Sequence, residues 1–253
     1  VTVDGRASNP LPFLVRNGAI YFIDRDHASR CTKNPAPSAD CLPPPASNAN
    51  TCDAPYGSAT MPFGLLYQAR CRMVAGDIVY IKKGATDYTE LDPYTDGGQG
   101  SLTISTAYPH GTADRPIAYV GYPSQDLTTG SPVVRQTPAA EWGFVTFLDD
   151  RAYYTFAKLT VIGPAHPFPI ANDGRRIIAN VISSAGREYW GAISVNNYAA
   201  KVRLLGNHLK DNGDSTMGYP GISVYGDSTA QPISDIEIGW NRIENQKGGA
   251  SIA

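Results

Sequence analysis

Several short stretches of the chain bring together carboxylates, basic side chains and aromatic rings. Carboxylates beside Lys or Arg suit elimination in an acidic polysaccharide, because a base must take the proton α to a uronate while a cation or Ca²⁺ neutralises the uronate carboxylate. Aromatic rings nearby can stack on sugars. These residues, with two asparagines beside them, are Asp149, Asp150, Arg151, Glu188, Tyr189, Trp190, Asn196, Asn197, Lys201, Asp211, Asp214, Tyr219 and Asp227.

These residues also have plain structural interpretations. Asp149 and Asp150 fit an ordinary turn, and Trp190 fits a packing role at an edge of the fold. His208 fits a surface position, and the spacing of the histidines predicts neither a metal site nor a Ser/His/Asp set. The sequence therefore assigns no catalytic residue and no metal ligand, and Ca²⁺ stays a candidate cofactor.

An asparagine recurs at one place in a pattern that is repeated over the last third of the chain. Each copy has Asn, any residue and a branched aliphatic in succession, at residues 180–182, 207–209 and 241–243. Asn180, Asn207 and Asn241 are 27 and 34 residues apart, which is typical of stacked repeats. An Asn suits a left-handed turn between two strands, and its amide can hydrogen-bond from one repeat to the next. We therefore predict an asparagine ladder at one corner of a parallel β-helix.

Short strand signals fill the remainder of the sequence. Apolar and polar residues alternate at 202–204 and 236–238, and the best helical candidate, 63–73, is short and contains Gly64. A β-sandwich is the alternative all-β architecture, but it gives no reason for one Asn per repeat. Segments rich in β-branched and aromatic residues lie at 77–81, 116–123, 144–147, 153–156 and 159–162.

Three segments carry a family resemblance. Residues 21–24, 62–84 and 102–123 resemble the opening strand, the entry segment with the first coil, and the second coil of the secreted pectate-lyase-like superfamily. The resemblance implies an all-β fold, a right-handed single-stranded parallel β-helix (solenoid), over residues 17–253. It does not imply an activity, since that superfamily includes lyases, hydrolases, epimerases, adhesins and phage spikes.

The resemblance also implies where a ligand would bind. In that family each coil has three strands, the Asn turn joins the second to the third, and polysaccharides usually cross the sheet of first strands. Here that sheet would contain residues 192–195 and 221–225. The chain does not match the catalytic signatures of pectate, alginate or chondroitin lyases. The glycan-binding residues expected at the edges of this sheet are Trp190, Tyr189, Asn197, Asp211, Asp214 and Tyr225, with Trp190 as the main stacking ring.

Both ends of the chain predict a connection to further protein. Residues 1–15 resemble the last strands of an immunoglobulin-like IPT/TIG domain, whose final segment commonly reads Ser-Asn-x-x-x-Phe, here residues 8–13. An ordinary N-terminal strand is the alternative. Residues 249–253 align with 221–224, which predicts that another coil starts there. We expect 1–16 to be the end of a preceding domain or an N-terminal strand, and 17–253 to be a β-helix that continues further.

Cysteine usage indicates an extracellular protein. Cys31, Cys41, Cys52 and Cys71 lie in or beside a segment, 32–60, that is rich in Pro, Ser and Asn and has almost no large apolar residue. Such a segment cannot fold by burial, and two disulfides would constrain it. The gaps lack the C-x₂-C form of a zinc site. We predict a disulfide-stapled loop, with three pairings open.

Charge and hydropathy limit the partners. The net charge of −2 offers no basic stripe for nucleic acid, and no apolar run approaches a membrane span. The expected partner is a polysaccharide or other glycan. The first hypothesis is a secreted carbohydrate-associated β-helix that binds a polysaccharide, such as a uronate polymer, or cleaves it as a lyase or hydrolase. The second is a non-catalytic structural or adhesive module of a large multidomain surface protein.

Overall fold

The protein is all-β, as the sequence predicts. The computed structural model describes residues 2–3, 6–7, 18–31, 56–92, 100–104, 108–122, 130–136, 143–147, 152–185, 191–196, 199–213, 221–226 and 232–247. Within them are nineteen strands and one 3₁₀ helix, Leu66–Cys71, which lies in the segment that was the best helical candidate. No helix in these ranges is long and apolar enough to cross a membrane.

The strands are short, mostly three to six residues. In chain order they are β1 Thr2–Val3, β2 Arg6–Ala7, β3 Ile20–Ile23, β4 Ile78–Lys82, β5 Leu102–Ile104, β6 Ile117–Tyr122, β7 Val133–Arg135, β8 Val145–Phe147, β9 Tyr154–Ala157, β10 Thr160–Ile162, β11 Phe168–Ile170, β12 Arg176–Ile178, β13 Val181–Ser183, β14 Ile193–Val195, β15 Ala200–Leu205, β16 His208–Lys210, β17 Ile222–Val224, β18 Ser234–Gly239 and β19 Arg242–Glu244.

The chain contributes strands to three parallel sheets in turn. Sheet I has the order β18-β15-β12-β9-β6-β4-β3, and sheet II has the order β19-β16-β13-β10-β7. Sheet III consists of two pieces, β5-β8 and β11-β14-β17, with β8 packed beside β11. From β6 to β19 each strand of sheet I is followed by one of sheet II and then, up to β17, by one of sheet III. This order is compatible with a parallel β-helix. Apart from the sheets, β1 and β2 pair antiparallel.

The strand register reproduces the spacing of the asparagines. Arg176 lies opposite Arg203 in the next repeat, and Arg203 lies opposite Glu237 in the repeat after that. These offsets are the same 27 and 34 residues that separate Asn180, Asn207 and Asn241. The three asparagines therefore occupy equivalent positions in successive repeats.

Twelve residues with positive φ form three columns at the strand ends, with φ between 51° and 93°. Within each repeat the columns are five residues apart. Positive φ disfavours residues with a Cβ, so a column of such residues shows that the packing of the repeats dictates the turns. The columns are Tyr153, Gly174, Lys201 and Asp235 at the start of the sheet I strands; Lys158, Ala179, Gly206 and Trp240 between sheets I and II; and Gly163, Ser184, Asp211 and Asn245 after sheet II.

The prediction that the Asn itself takes the left-handed turn is wrong. The left-handed residue is the one before it, namely Ala179, Gly206 and Trp240 before Asn180, Asn207 and Asn241. The reason is that the turn is completed one residue earlier, which leaves the Asn inside the fold with its side chain directed along the stack of repeats.

Alternate residues of the strands fill the core. Val202, Leu204 and Leu209 are fully buried, whereas the next repeat's Ile236, Ile238 and Ile243 are only partly buried. β18 and β19 are the last strands of sheets I and II among the described residues. Aromatic contacts reinforce the middle of the core: Tyr119 stacks on Phe156 with ring centroids 5.5 Å apart, and Phe144 meets Phe168 edge-on at 5.5 Å.

Candidate functional site

A ladder of asparagine side chains supports the corner between sheets I and II. The backbone N–H of Leu159 donates to Oδ1 of Asn180 at 3.0 Å. The backbone N–H and Nδ2 of Asn180 both donate to Oδ1 of Asn207, at 3.0 and 3.1 Å. Asn207 donates to Asn241 in the same way. Each Nδ2 also donates to a backbone carbonyl, at Phe156, Ile177 and Leu204 respectively. The corner is thus a hydrogen-bonded, rigid support.

A second polar stack, which the sequence pattern does not reveal, lies five residues further on, after sheet II. The backbone N–H of Ala185 donates to Oδ1 of Asn212 at 3.1 Å, and Nδ2 of Asn212 donates to the carbonyl of Ile182. In the next repeat Gln246 takes the same place and donates to the carbonyl of Leu209. The one indication in the sequence is Asn212, five residues after Asn207. The equivalent residues of the neighbouring repeats are Ala185 and Gln246, so no second asparagine repeat is visible in the sequence.

The structure describes two of the six residues predicted to bind a glycan. Asp211 follows β16 in the third left-handed column, and its N–H donates to the carbonyl of Glu244 at 3.2 Å. Tyr225 follows β17, its N–H donates to the carbonyl of Val195 at 2.8 Å, and it is 51% exposed. Asp211 therefore leaves sheet II, while Tyr225 leaves sheet III. Trp190, Tyr189, Asn197 and Asp214 lie outside the described residues, as do Asp149, Asp150, Arg151, Glu188, Tyr219 and Asp227.

The outer face of sheet III is partly covered. Pro169, Ser194 and Ser223 lie opposite one another in successive strands of sheet III. They belong to the outer face, because successive side chains of a strand point to opposite faces and the neighbouring Ile193 and Ile222 lie in the core. Ser194 is only 1% exposed and Ser223 only 9%. A ligand therefore has access to the Tyr225 end of this sheet, whereas the middle at Ser194 is closed to solvent.

A charged network lies on the outer face of sheet II. His208 Nε2 lies 2.7 Å from Oε1 of Glu244, and Arg242 Nε donates to Oε2 of the same carboxylate at 2.8 Å. The hydrogen bonds from His208 and Arg242 lower the pKa of Glu244 below its ordinary value, so Glu244 is held as a carboxylate. Such a carboxylate can accept hydrogen bonds or balance charge, and it is poorly suited to donate a proton.

Two guanidinium groups are buried in the core. Arg70 pairs with Asp92, and both side chains are almost fully buried. Asp92 also accepts the N–H of Thr103 at 2.7 Å, and the Arg70 guanidinium lies 4.5 Å from the ring centroid of Tyr108. This cluster is closed to solvent and joins the segment around the 3₁₀ helix to sheet III.

The second buried guanidinium belongs to Arg175, which is fully buried over the ring of Tyr154, 5.2 Å from its centroid. Burial lowers the pKa of Arg175 to about 9, although Tyr154 and Asp173 oppose that shift. Nothing in the local sequence distinguishes these arginines from surface ones, since their partners come from distant parts of the chain.

The described residues contain no group of three or more His, Cys, Asp or Glu side chains that could hold a metal ion. Cys31 is buried and pairs with Phe63 in a parallel bridge, and Gln68 Nε2 lies 3.7 Å from its Sγ. Cys41 and Cys52 lie outside the described residues, and Cys71 ends the 3₁₀ helix. The cysteine pairing therefore stays a prediction.

Comparison with known proteins gives no match: no protein-family model, no curated protein and no solved structure matches the chain.

Proposed function

We propose that the chain is a right-handed single-stranded parallel β-helix of the pectate-lyase-like kind, acting outside the cell on an extended polysaccharide. The order of the sheets and the asparagine ladder support the β-helix. In the same proposal, residues 1–16 are the end of an IPT/TIG-like domain or an N-terminal strand, residues 17–253 form the helix, and two disulfides staple the loop that contains Cys41 and Cys52.

The observation that carries the glycan proposal is the exposed ring of Tyr225 on a rigid sheet end. Its backbone is fixed to Val195, and the strand before it is paired in register with β14. A ring held in this way can stack on a pyranose with little loss of conformational entropy. Asp211, Asp214, Asn197, Tyr189 and Trp190 complete the proposed site. Cleavage by elimination or hydrolysis remains part of the proposal, with no residue assigned to it.

The second candidate is a structural or adhesive module of a multidomain surface protein. It is favoured by Ile236, Ile238 and Ile243, which are half-buried where the corresponding residues of the preceding repeat are fully buried. A further repeat stacked on β18 and β19 would cover them, as in a longer rod.

A polysaccharide panel separates the two candidates and locates the site. Wild-type protein and Tyr225→Ala are titrated with polygalacturonate and with a neutral β-1,4-glucan, and ultraviolet absorbance reports unsaturated products. The proposal predicts binding by wild type and at least tenfold weaker binding by Tyr225→Ala, about 1.4 kcal/mol. Equal binding by the two proteins would exclude Tyr225 from the site, and no binding by either would leave the structural module.

A further inference from the structure

Trp240 has an unusual conformation for a large side chain. Its φ is 54°, in the left-handed region, and its side chain is 83% exposed. A bulky residue with positive φ is a genuine outlier, and exposing an indole to water gains nothing from the hydrophobic effect. The turn itself accounts for the positive φ, which Lys158, Ala179 and Gly206 share, but packing gives no reason for an exposed Trp at this position.

The residues that occupy the position of Trp240 in the preceding repeats form an exposed surface along the stack of repeats. We call the exposed column Lys158, Ala179, Gly206 and Trp240 the corner track, since it follows the corner between sheets I and II. A Cβ added at Gly206 would meet no atom within 4 Å, so the space above it is open. Lys158 lies three strand steps from Trp240, roughly 14 Å at about 4.8 Å a step. The track thus has a ring at one end, a cation at the other and small residues between.

The corner track is held rigid from beneath. The residue after each member is Leu159, Asn180, Asn207 or Asn241, and these are the residues that the asparagine ladder joins. Asn180 and Asn207 are only 1% exposed. A binding surface on such a support is already ordered before the ligand arrives, which reduces the entropic cost of binding.

The surroundings of Trp240 favour a sugar over a protein partner. Arg242, two residues on, is 72% exposed, and Glu237, three residues before, is 51% exposed. Trp240 is therefore a single apolar ring beside charged hydrogen-bonding groups, and not part of a broad apolar patch such as a stable protein interface buries. A pyranose has one apolar face and a rim of hydroxyls, which matches this arrangement.

We propose that the corner track is a carbohydrate-binding surface in which the indole of Trp240 stacks on a pyranose ring and the chain runs over Gly206 and Ala179 toward Lys158. This inference rests on the proposed function, but it places a binding surface at the corner of sheets I and II, away from the sheet III site at Tyr225. Both neutral and uronate polymers offer the apolar sugar face, and the positive charge of Lys158 favours the uronate.

Trp240→Gly is a sharp test, because a functional role and a packing role predict opposite effects on stability. Glycine adopts positive φ without strain, so removing an unpacked indole leaves the melting temperature equal or higher. If the ring binds sugar, the same substitution weakens polysaccharide binding at least tenfold, while Trp240→Phe, which keeps a ring, loses less. A packing role would instead lower the melting temperature.

Wild type, Trp240→Gly, Trp240→Phe and Tyr225→Ala are titrated calorimetrically with polygalacturonate and with a neutral β-1,4-glucan, and their melting temperatures are measured. Weaker binding by Trp240→Gly at an undiminished melting temperature is the expected result. Unchanged binding by Trp240→Gly with loss in Tyr225→Ala would overturn this inference and leave the sheet III site standing. Absence of binding by wild type would overturn both the corner track and the sheet III site. A marked fall in the melting temperature of Trp240→Gly would show that the indole has a packing role.

Discussion

Asn207 donates both its backbone N–H and its side-chain amide to a single oxygen, Oδ1 of Asn241, at 2.9 and 3.0 Å. Its own Oδ1 accepts the same two donors from Asn180. The Oδ1 atoms of Asn207 and Asn241 thus each accept two donors from the asparagine of the preceding repeat. They do so at a corner where the left-handed turn interrupts the regular backbone hydrogen bonding. Asn207 is the central member of the ladder, so its removal should break hydrogen bonds to both Asn180 and Asn241.

Asn207→Ala is expected to lower the free energy of unfolding by roughly 2–4 kcal/mol, because it leaves the backbone N–H of buried Asn180 without an acceptor and removes one of the two hydrogen bonds of its Nδ2. Asn241→Ala should cost less, since Asn241 is only partly buried and ends the ladder among the described residues. Urea denaturation measures both. A loss below about 0.5 kcal/mol for Asn207→Ala would show that the ladder does not stabilise the protein.

The strands with a strong β-branched and aromatic pattern were predictable from the sequence, and the weak ones were not. The segments 77–81 and 116–123 predict β4 and β6 well, because they are rich in β-branched and aromatic residues. β11 was missed because Pro169 gives Phe168–Ile170 the composition of a turn. β12 was missed because it begins with an arginine and follows another.

The site was less predictable than the fold, since its contacts are not local. The asparagine ladder has a period that the sequence displays. By contrast, Arg70 and Asp92 are 22 residues apart and share no pattern, and nothing in the local sequence marks Ser194, which is 1% exposed, as a covered residue. The role of Trp240 was invisible for another reason: Ala179, Gly206 and Trp240 look like unrelated residues until their common positive φ is known.

Two glycines of the left-handed columns should differ in their tolerance of alanine. At Gly206, φ is 64° and a Cβ has open space, so Gly206→Ala adds only conformational strain of roughly 1–2 kcal/mol. At Gly163, φ is 93° and a Cβ would lie 2.3 Å from the carbonyl oxygen of Gln136, so Gly163→Ala should lose about 1–3 kcal/mol more. Urea denaturation of the two variants tests this order, and equal losses would contradict the packing described at Gly163.

Tyr119→Phe is expected to keep or raise stability by up to about 1 kcal/mol, because the hydroxyl of Tyr119 is buried and has no hydrogen-bond partner among the described residues. Burial raises the pKa of Tyr119 well above its ordinary value, and burial raises that of Tyr67 to about 12. Above pH 10 the unfolded chain therefore binds fewer protons than the folded one, and stability falls as the pH rises.

Tyr119→Phe should reduce this alkaline loss of stability, whereas the same substitution at the exposed Tyr122 should leave it unchanged. Melting temperatures from pH 8 to 11 measure the effect, roughly the window in which an unfolded tyrosine titrates. Identical alkaline profiles for wild type and Tyr119→Phe would refute the assignment of this pH dependence to Tyr119.

The cysteines are expected to form two disulfides, so a thiol titration of the denatured, unreduced protein should find no free thiol. Reduction should increase proteolytic cleavage within 32–60 while the circular dichroism of the strands persists, because Cys31 is the only cysteine in the core among the described residues. Four free thiols would rule out the disulfides and with them the main reason for an extracellular compartment.

Calorimetric titration of the folded wild-type protein with a panel of neutral and uronate polymers measures whether this parallel fold binds an extended polysaccharide. We expect saturable binding to at least one polymer, favouring a uronate, and loss of that binding when the protein is thermally unfolded. No heat of binding with any polymer, at protein concentrations that would detect a millimolar dissociation constant, would contradict the claim and support the structural module.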